Sequence, residues 1–208
     1  AFEVEHSLKI NLDYRKEFVA NYATKFNLFF ERRSGRPLNW VMGSFRNGDL
    51  GDQYAFDDSD AYLPYIPTDA NDPAVDFING ISYDELKGYM DQAGVSKYAG
   101  GYAEKGAGTQ PWQTTLDLRI AQEIPGFMDG HKGEIFFNVR NLLNLIDDAK
   151  GQQKRSEFGT KILVDYGIND AGQYVYSEPY GGFDAANADT VNAKYSAWGV
   201  KLGVRYTF

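Results

Sequence analysis

Residues 198–208 read W-G-V-K-L-G-V-R-Y-T-F. Trp198, Val200, Leu202, Val204, Tyr206 and Phe208 recur at every second position, and Gly199, Lys201, Gly203, Arg205 and Thr207 fill the alternate ones. Successive side chains of a strand point to opposite faces. The stretch therefore predicts a two-faced strand, apolar on one side and polar or small on the other, running to the last residue.

The same period recurs upstream. Residues 2–15 place Phe2, Val4, His6, Leu8, Ile10, Leu12 and Tyr14 on one face and Glu3, Glu5, Ser7, Lys9, Asn11, Asp13 and Arg15 on the other. Such a run exceeds the usual strand of about 5–6 residues. It suits a tilted strand crossing a hydrocarbon core, which takes about 9–11 residues. Further strands are predicted over residues 22–33, 112–124, 133–145 and 195–208. Their polar faces carry Lys25, Asn27, Glu31, Asp117, Arg119, Glu123, Glu134, Asn138, Arg140, Lys201 and Arg205. Phe29 is the exception on the second strand.

Composition narrows the function classes. The chain has 208 residues, 43% of them hydrophobic and 15% aromatic, with a formal charge of −8. That balance argues against a nucleic-acid surface, which needs a basic patch. Without cysteine there is neither a disulfide framework nor a thiolate metal site, and two histidines make a His-rich metal site unexpected. No cofactor is expected. No apolar run approaches the length of a transmembrane helix. The mean hydropathy of −0.48 does not speak against a barrel, whose lipid-facing residues alternate with polar lumen residues. The first residue is Ala1, with no signal peptide before it; the expectation is a processed chain or a piece of a larger one.

Connection lengths alternate. Residues 16–21 and 125–132 are short links; 34–111 and 146–194 are long. Loops beyond about 15 residues sit poorly in a compact soluble domain, whereas outer-membrane barrels combine short periplasmic turns with long extracellular loops. Ser82-Tyr83-Asp84-Glu85 fits a capping box for a helix over residues 83–93, ended by Gly94. Residues 162–166 and 173–176, flanking Asn169-Asp170-Ala171-Gly172, predict an exposed β-hairpin. The acidic stretch Asp49, Asp52, Asp57, Asp58 and Asp60 lacks calcium-loop spacing and reads as a solvated loop. Trp40, Phe45, Tyr54, Phe56, Tyr62, Tyr65 and Tyr89 give the long loop aromatic faces that suit a ligand or pack the loop on itself. No nucleophile, zinc or phosphate-loop motif is present, so an enzyme is not expected.

Five strands are too few, and odd in number, to close a bacterial transmembrane barrel. An open edge in lipid leaves backbone groups unpaired. The expected fold is therefore all-β: about five long strands of a larger antiparallel barrel, whose other strands lie upstream or on another chain.

Several motifs carry a family resemblance. R-S-G-R-P at residues 33–37 follows F-N-L-F-F at 26–30. L-D-L-R-I-A-Q-E-I-P-G-F spans 116–127, F-F-N-V-R-N-L-L-N-L spans 136–145 and G-Q-Y-V-Y-S spans 172–177. With the terminal L-G-V-R-Y-T-F, they resemble the C-terminal barrel of TonB-dependent outer-membrane receptors, particularly the Oar-like branch. The resemblance covers most of the chain outside residues 39–110.

It implies a 22-strand barrel with an N-terminal plug, of which residues 1–208 supply the last strands and neither plug nor TonB box. It implies a Gram-negative outer membrane, active uptake of a scarce ligand driven through TonB, ExbB and ExbD, and assembly by the barrel-assembly machinery, with Tyr206 and Phe208 as the C-terminal signal. Trp112 and Trp198 are expected at the outer lipid interface and Tyr14, Tyr206 and Phe208 at the inner one. A passive porin, or a surface adhesin or barrel scaffold of a larger complex, would share the strand pattern.

Overall fold

A computed structural model of the chain describes residues 4–43, 62–156 and 159–208. In chain order the elements are β1 (Ser7–Val19), β2 (Tyr22–Arg33), β3 (Pro37–Gly43), β4 (Tyr65–Ile66), α1 (Tyr83–Ala93), β5 (Gly101–Tyr102), β6 (Gly108–Thr109), β7 (Gln113–Pro125) and β8 (Lys132–Arg140). Then follow α2 (Leu142–Ile146), β9 (Lys154–Arg155), β10 (Thr160–Ile168), β11 (Tyr174–Ser177), α3 (Phe183–Ala186), β12 (Thr190–Val191), α4 (Ala193–Ser196) and β13 (Gly199–Thr207). The protein is mainly β. Among the described residues no helix is long and apolar enough to cross a membrane, which leaves strands untested as spans.

The chain divides into two compact units. The sheet unit takes Val4–Gly35, Trp112–Lys154 and Val191–Phe208. Its five strands lie in the order β1-β2-β7-β8-β13, every neighbour antiparallel. Two short reversals set the register. Residues 20–21 join β1 to β2 with Asn21 at φ 66°, a conformation that asparagine tolerates better than most side chains. Between β7 and β8 the Gly126 N–H donates to the His131 carbonyl at 3.1 Å. A Cβ at Gly126 would lie 2.5 Å from the His131 Cβ, so this turn requires glycine.

Strand bounds differ from the sequence expectation chiefly at three strands. The first, expected over residues 2–15, begins only at Ser7 and runs on to Val19, past a bulge after Lys16. The strand expected over 133–145 ends at Arg140: Asn141 turns left-handed at φ 52°, and residues 142–146 form α2. The strand expected from residue 195 begins at Gly199, because Asn192 caps α4 by accepting from the Tyr195 N–H. Apolar residues continue past both breaks although the strict alternation does not: Asn141 interrupts the apolar set of β8, and Tyr195 falls at the parity of Gly199 and Lys201.

The second unit is built from the described residues of Arg36–Pro111 and Arg155–Thr190. A sheet in the order β11-β10-β3-β6 forms its centre, with β3 and β10 parallel and the other pairs antiparallel. Leu38, Met42, Leu163, Val164 and Tyr176 from the strands pack with Leu86 and Met90 of α1 in one buried core. The helix spans Tyr83–Ala93; Ser82 Oγ accepts from the Glu85 N–H at 3.3 Å, and Gly94 ends it at φ 70°. The hairpin expected as exposed is instead central. Its two strands are β10 and β11, and Leu163, Val164, Tyr166 and Tyr176 are buried. The sequence shows the hairpin's turn but not the parallel pairing with β3 that covers it.

Candidate functional site

The register turns the sheet unit's sequence pattern into two continuous faces. One cross-strand row reads Leu12, Leu28, Leu118, Val139 and Val200; the next reads Tyr14, Phe26, Ile120, Phe137 and Leu202. Each row crosses all five strands without a polar side chain. Polar residues enter this face only beyond them. On one side Arg32 lies over the Trp112 ring at 5.3 Å, and His6 stacks on the same ring at 6.3 Å. On the other, the Thr24 hydroxyl donates to the Gln122 side chain.

Much of the apolar face is uncovered: of the two rows, Leu12, Tyr14, Phe137, Val200 and Leu202 are exposed, Phe26, Leu28, Leu118 and Ile120 are half-buried, and Val139 is buried. Leu12 is 58% exposed, Leu202 68% and Val204 71%. Isolated exposed hydrophobics are ordinary, but a contiguous apolar patch marks a surface that meets something other than water.

The opposite face is charged and cross-linked. Lys25 Nζ lies 2.8 Å from Glu123 and 3.0 Å from Glu134. Glu123 and Glu134 stand directly opposite each other on β7 and β8, a like-charge pairing that would oppose folding without a cation between them. Arg119 donates to Glu134 at 3.1 Å and to Asn138 at 3.2 Å, and its guanidinium lies 4.4 Å from the Phe136 ring centre. Lys9 pairs with Glu31, and Asn11 and Asn27 both donate to Asp13. Gly203 faces Phe136 across the β8–β13 pair; a Cβ there would collide with the Phe136 ring, so the glycine lets an aromatic lie flat on β13. Asp117 and Glu123, two carboxylates on one strand, are engaged by the Asn141 N–H and by Lys25 respectively.

At the short-turn end the Phe127 N–H donates to the Tyr206 hydroxyl at 3.1 Å, and His131 Nδ1 lies 2.8 Å from it. Tyr206 thus ties β13 to the β7–β8 turn. Phe208 follows the strand and is exposed. Trp112, Trp198 and Tyr14 are exposed as well.

The aromatic residues proposed to face a ligand belong to the second unit. Trp40 is buried and stacks on Phe183 at 5.9 Å. Tyr89 stacks on Phe183 at 4.6 Å, and burial, then its bond to Glu85, pushes its hydroxyl up to about 12. Tyr65 meets Tyr102 edge-on and stacks on Tyr174. Tyr62 is half-buried against the core. Phe45, Tyr54 and Phe56 lie outside the described residues, as does the acidic stretch from Asp49 to Asp60. Among the described residues no three metal-ligating side chains converge.

Asp72 organises this unit and was not singled out in the sequence. It is buried and accepts from the Thr68 N–H at 2.9 Å, the Ala74 N–H at 3.0 Å, and the hydroxyls of Tyr65 and Thr68. Burial alone would raise its pKa, but these donors outweigh it and hold the carboxyl below the usual range. A signal existed in D-A-N-D-P at residues 69–73, whose Asp and Asn side chains favour turns that bond to nearby backbone N–H groups. A depressed carboxylate contributes stability that is complete above its unfolded value, near pH 3.9, and is lost as pH falls through the lower folded value. Asp72→Asn should therefore flatten the acid limb of this unit's stability, followed by near-ultraviolet circular dichroism from pH 5 to 2. An acid transition with unchanged slope would contradict that role.

Comparison of the chain with protein families, with curated proteins and with solved structures finds no match.

Proposed function

We propose that the sheet unit is a section of the wall of a larger transmembrane β-barrel, and that the protein is a TonB-dependent receptor of a Gram-negative outer membrane. The observation that carries the wall reading is the pair of unbroken apolar rows, largely uncovered on one face, with an ion-paired network on the other. Lipid is the solvent that fits such a face. The open edges of β1 and β13 fit it too, since strands in hydrocarbon must be paired all round.

The receptor reading rests on the motif resemblance, whose segments now have positions. L-D-L-R-I-A-Q-E-I-P-G-F is most of β7 and the start of its turn; F-F-N-V-R-N-L-L-N-L is the end of β8, Asn141 and most of α2; L-G-V-R-Y-T-F is the end of β13 with Phe208. In this reading the polar face lines a lumen that holds a plug. The second unit contributes to recognition of a scarce extracellular ligand, TonB with ExbB and ExbD supplies the energy, and the barrel-assembly machinery inserts the protein. The chain's own residues bind and line; no bond chemistry is assigned to them.

The intact protein, carried in outer-membrane vesicles into a planar bilayer, should show little constitutive current. Ligand uptake by whole cells should stop when the proton-motive force is dissipated. A large constitutive current would replace the receptor with a passive porin. Recovery of the protein in the soluble fraction would remove the wall reading itself.

A further inference from the structure

In the second unit, residues 74–81 cover the outer edge of β11. The Tyr174 N–H donates to the Ala74 carbonyl at 2.9 Å, the Asp76 N–H to the Tyr174 carbonyl at 2.8 Å, and the Ile81 N–H to the Tyr176 carbonyl at 2.8 Å. Between the last two bonds the chain bulges outward, and Ile78 is 94% exposed. Asp76 gathers this bulge. Its carboxylate accepts from the Ile78 and Asn79 N–H groups at 3.0 and 3.3 Å, from Asn79 Nδ2 at 2.8 Å and from Asn169 Nδ2 at 3.2 Å. The bond from the Asn79 amide comes first among those that hold the carboxyl below the usual carboxylate range.

Asn79 is exposed and is followed by Gly80. A glycine presents its backbone nitrogen to a neighbouring side chain without the hindrance of a Cβ. The Gly80 N–H has no acceptor among the described residues, so that nitrogen is not held in a hydrogen bond. Nor can the glycine be exchanged freely: a Cβ there would lie 2.5 Å from the Tyr176 carbonyl oxygen. We propose that Asn79 is a site of spontaneous deamidation, and that its conversion releases residues 74–81 from β11.

The Gly80 nitrogen gives its proton to solvent and bonds to the Asn79 Cγ. The bond from Cγ to Nδ2 breaks, that nitrogen takes a proton from solvent and leaves as ammonia, and a cyclic succinimide remains. Water then opens the ring. Cleavage at Cγ leaves an aspartyl residue at position 79, and cleavage at the backbone carbonyl carbon leaves an isoaspartyl one. Water is consumed, ammonia is released and no oxidant or reductant is needed. Either product replaces the amide donor at Asp76 with a second carboxylate, so like charges meet where a hydrogen bond stood. The isoaspartyl form also adds a methylene to the backbone beside Gly80, where the Tyr176 carbonyl leaves no room. The result is an open β11 edge, whose unpaired backbone groups can take another strand. The inference stands on the second unit alone and holds with or without the transport reading.

The test ages the full chain, refolded in detergent micelles, at mildly alkaline pH beside Asn79→Asp and Asn79→Gln. Peptide mapping by mass spectrometry reads conversion at each asparagine, and hydrogen exchange reads the Asp76, Tyr174 and Ile81 amides. Asn79 should convert faster than Asn71, which is also exposed but is followed by Asp72. In the converted fraction, protection of the three amides should fall by about tenfold. Asn79→Asp should show that loss without ageing. Asn79→Gln, whose longer side chain closes a ring less readily, should not convert, and its protection should not change with age. Conversion at Asn79 no faster than at Asn71 would overturn the inference. So would full protection of the three amides after conversion or in Asn79→Asp, and so would an age-dependent loss of protection in Asn79→Gln.

Discussion

Leu202→Arg is expected to lower folding stability in lipid vesicles by about 2–4 kcal/mol, the range for a cation on the lipid face near the bilayer midplane. Leu202 lies mid-strand on β13, in the second apolar row, and is 68% exposed. That exposure makes the prediction sharp. At a position exposed to water, such a change stays within about 0.5 kcal/mol, because a long charged side chain is at home there. Lys201→Gln, one residue away on the polar face, should shift stability by well under 1 kcal/mol, since its ammonium has no carboxylate partner within the described sheet. Urea titrations of the two variants in the same vesicles provide the comparison. A large loss for Leu202→Arg beside a small one for Lys201→Gln supports the facing; equal losses, or a neutral Leu202→Arg, would contradict it.

Asn141→Ala is expected to cost about 3 kcal/mol, because one side chain closes the region where β8 stops. Asn141 is buried and left-handed at φ 52°. Its Nδ2 donates to the Gly151 carbonyl at 2.9 Å and to the Ser196 carbonyl at 2.6 Å, while its N–H donates to Asp117 at 2.8 Å. Removing the amide leaves two carbonyls without that donor, at about 1–3 kcal/mol for each that stays buried and unpaired. Alanine also holds the left-handed backbone less well than asparagine, by a further fraction of about 1–2 kcal/mol. Asn141→Gly separates the two effects: it relieves the backbone and still loses the amide. If Asn141→Gly restores full stability in the urea titration, the carbonyl bonds contribute little and the strain argument alone remains.

That residue also shows how far the sequence could be read. The period-two pattern of residues 22–33 and 112–124 gave both faces of β2 and β7, because alternation is a direct imprint of a two-faced sheet. Cross-strand charge matching was out of reach: Glu123 and Glu134 look like a clash until Lys25 is seen between them. Asn141 and Asn192 end the strand geometry by bonds to the backbone, and the apolar residues on both sides of Asn141 in F-F-N-V-R-N-L-L-N-L mask the stop even though the alternation itself fails there. The helix at Tyr83–Ala93 was legible to its caps, since Ser82, Glu85 and Gly94 act locally. The core around it was not. Leu38, Leu163 and Tyr176 come from distant parts of the chain and meet through a parallel β3–β10 pairing that no local pattern encodes. Residues 34–111 and 146–194 therefore read as loops although most of them build a compact unit. Trp40 and Tyr89, read as aromatic faces of a loop, stack on Phe183 of that unit.

The most direct test of the two-faced wall is solvent contact, residue by residue. The chain has no cysteine, so single cysteines at positions 200, 201, 202, 204 and 205 can each carry a fluorophore in the protein reconstituted into vesicles. Labels replacing Val200, Leu202 and Val204 should be quenched by a lipid-soluble quencher and shielded from an aqueous one, and labels replacing Lys201 and Arg205 should behave the opposite way. Uniform aqueous quenching along β13 would contradict the account: the apolar rows would then face water or a protein partner rather than lipid.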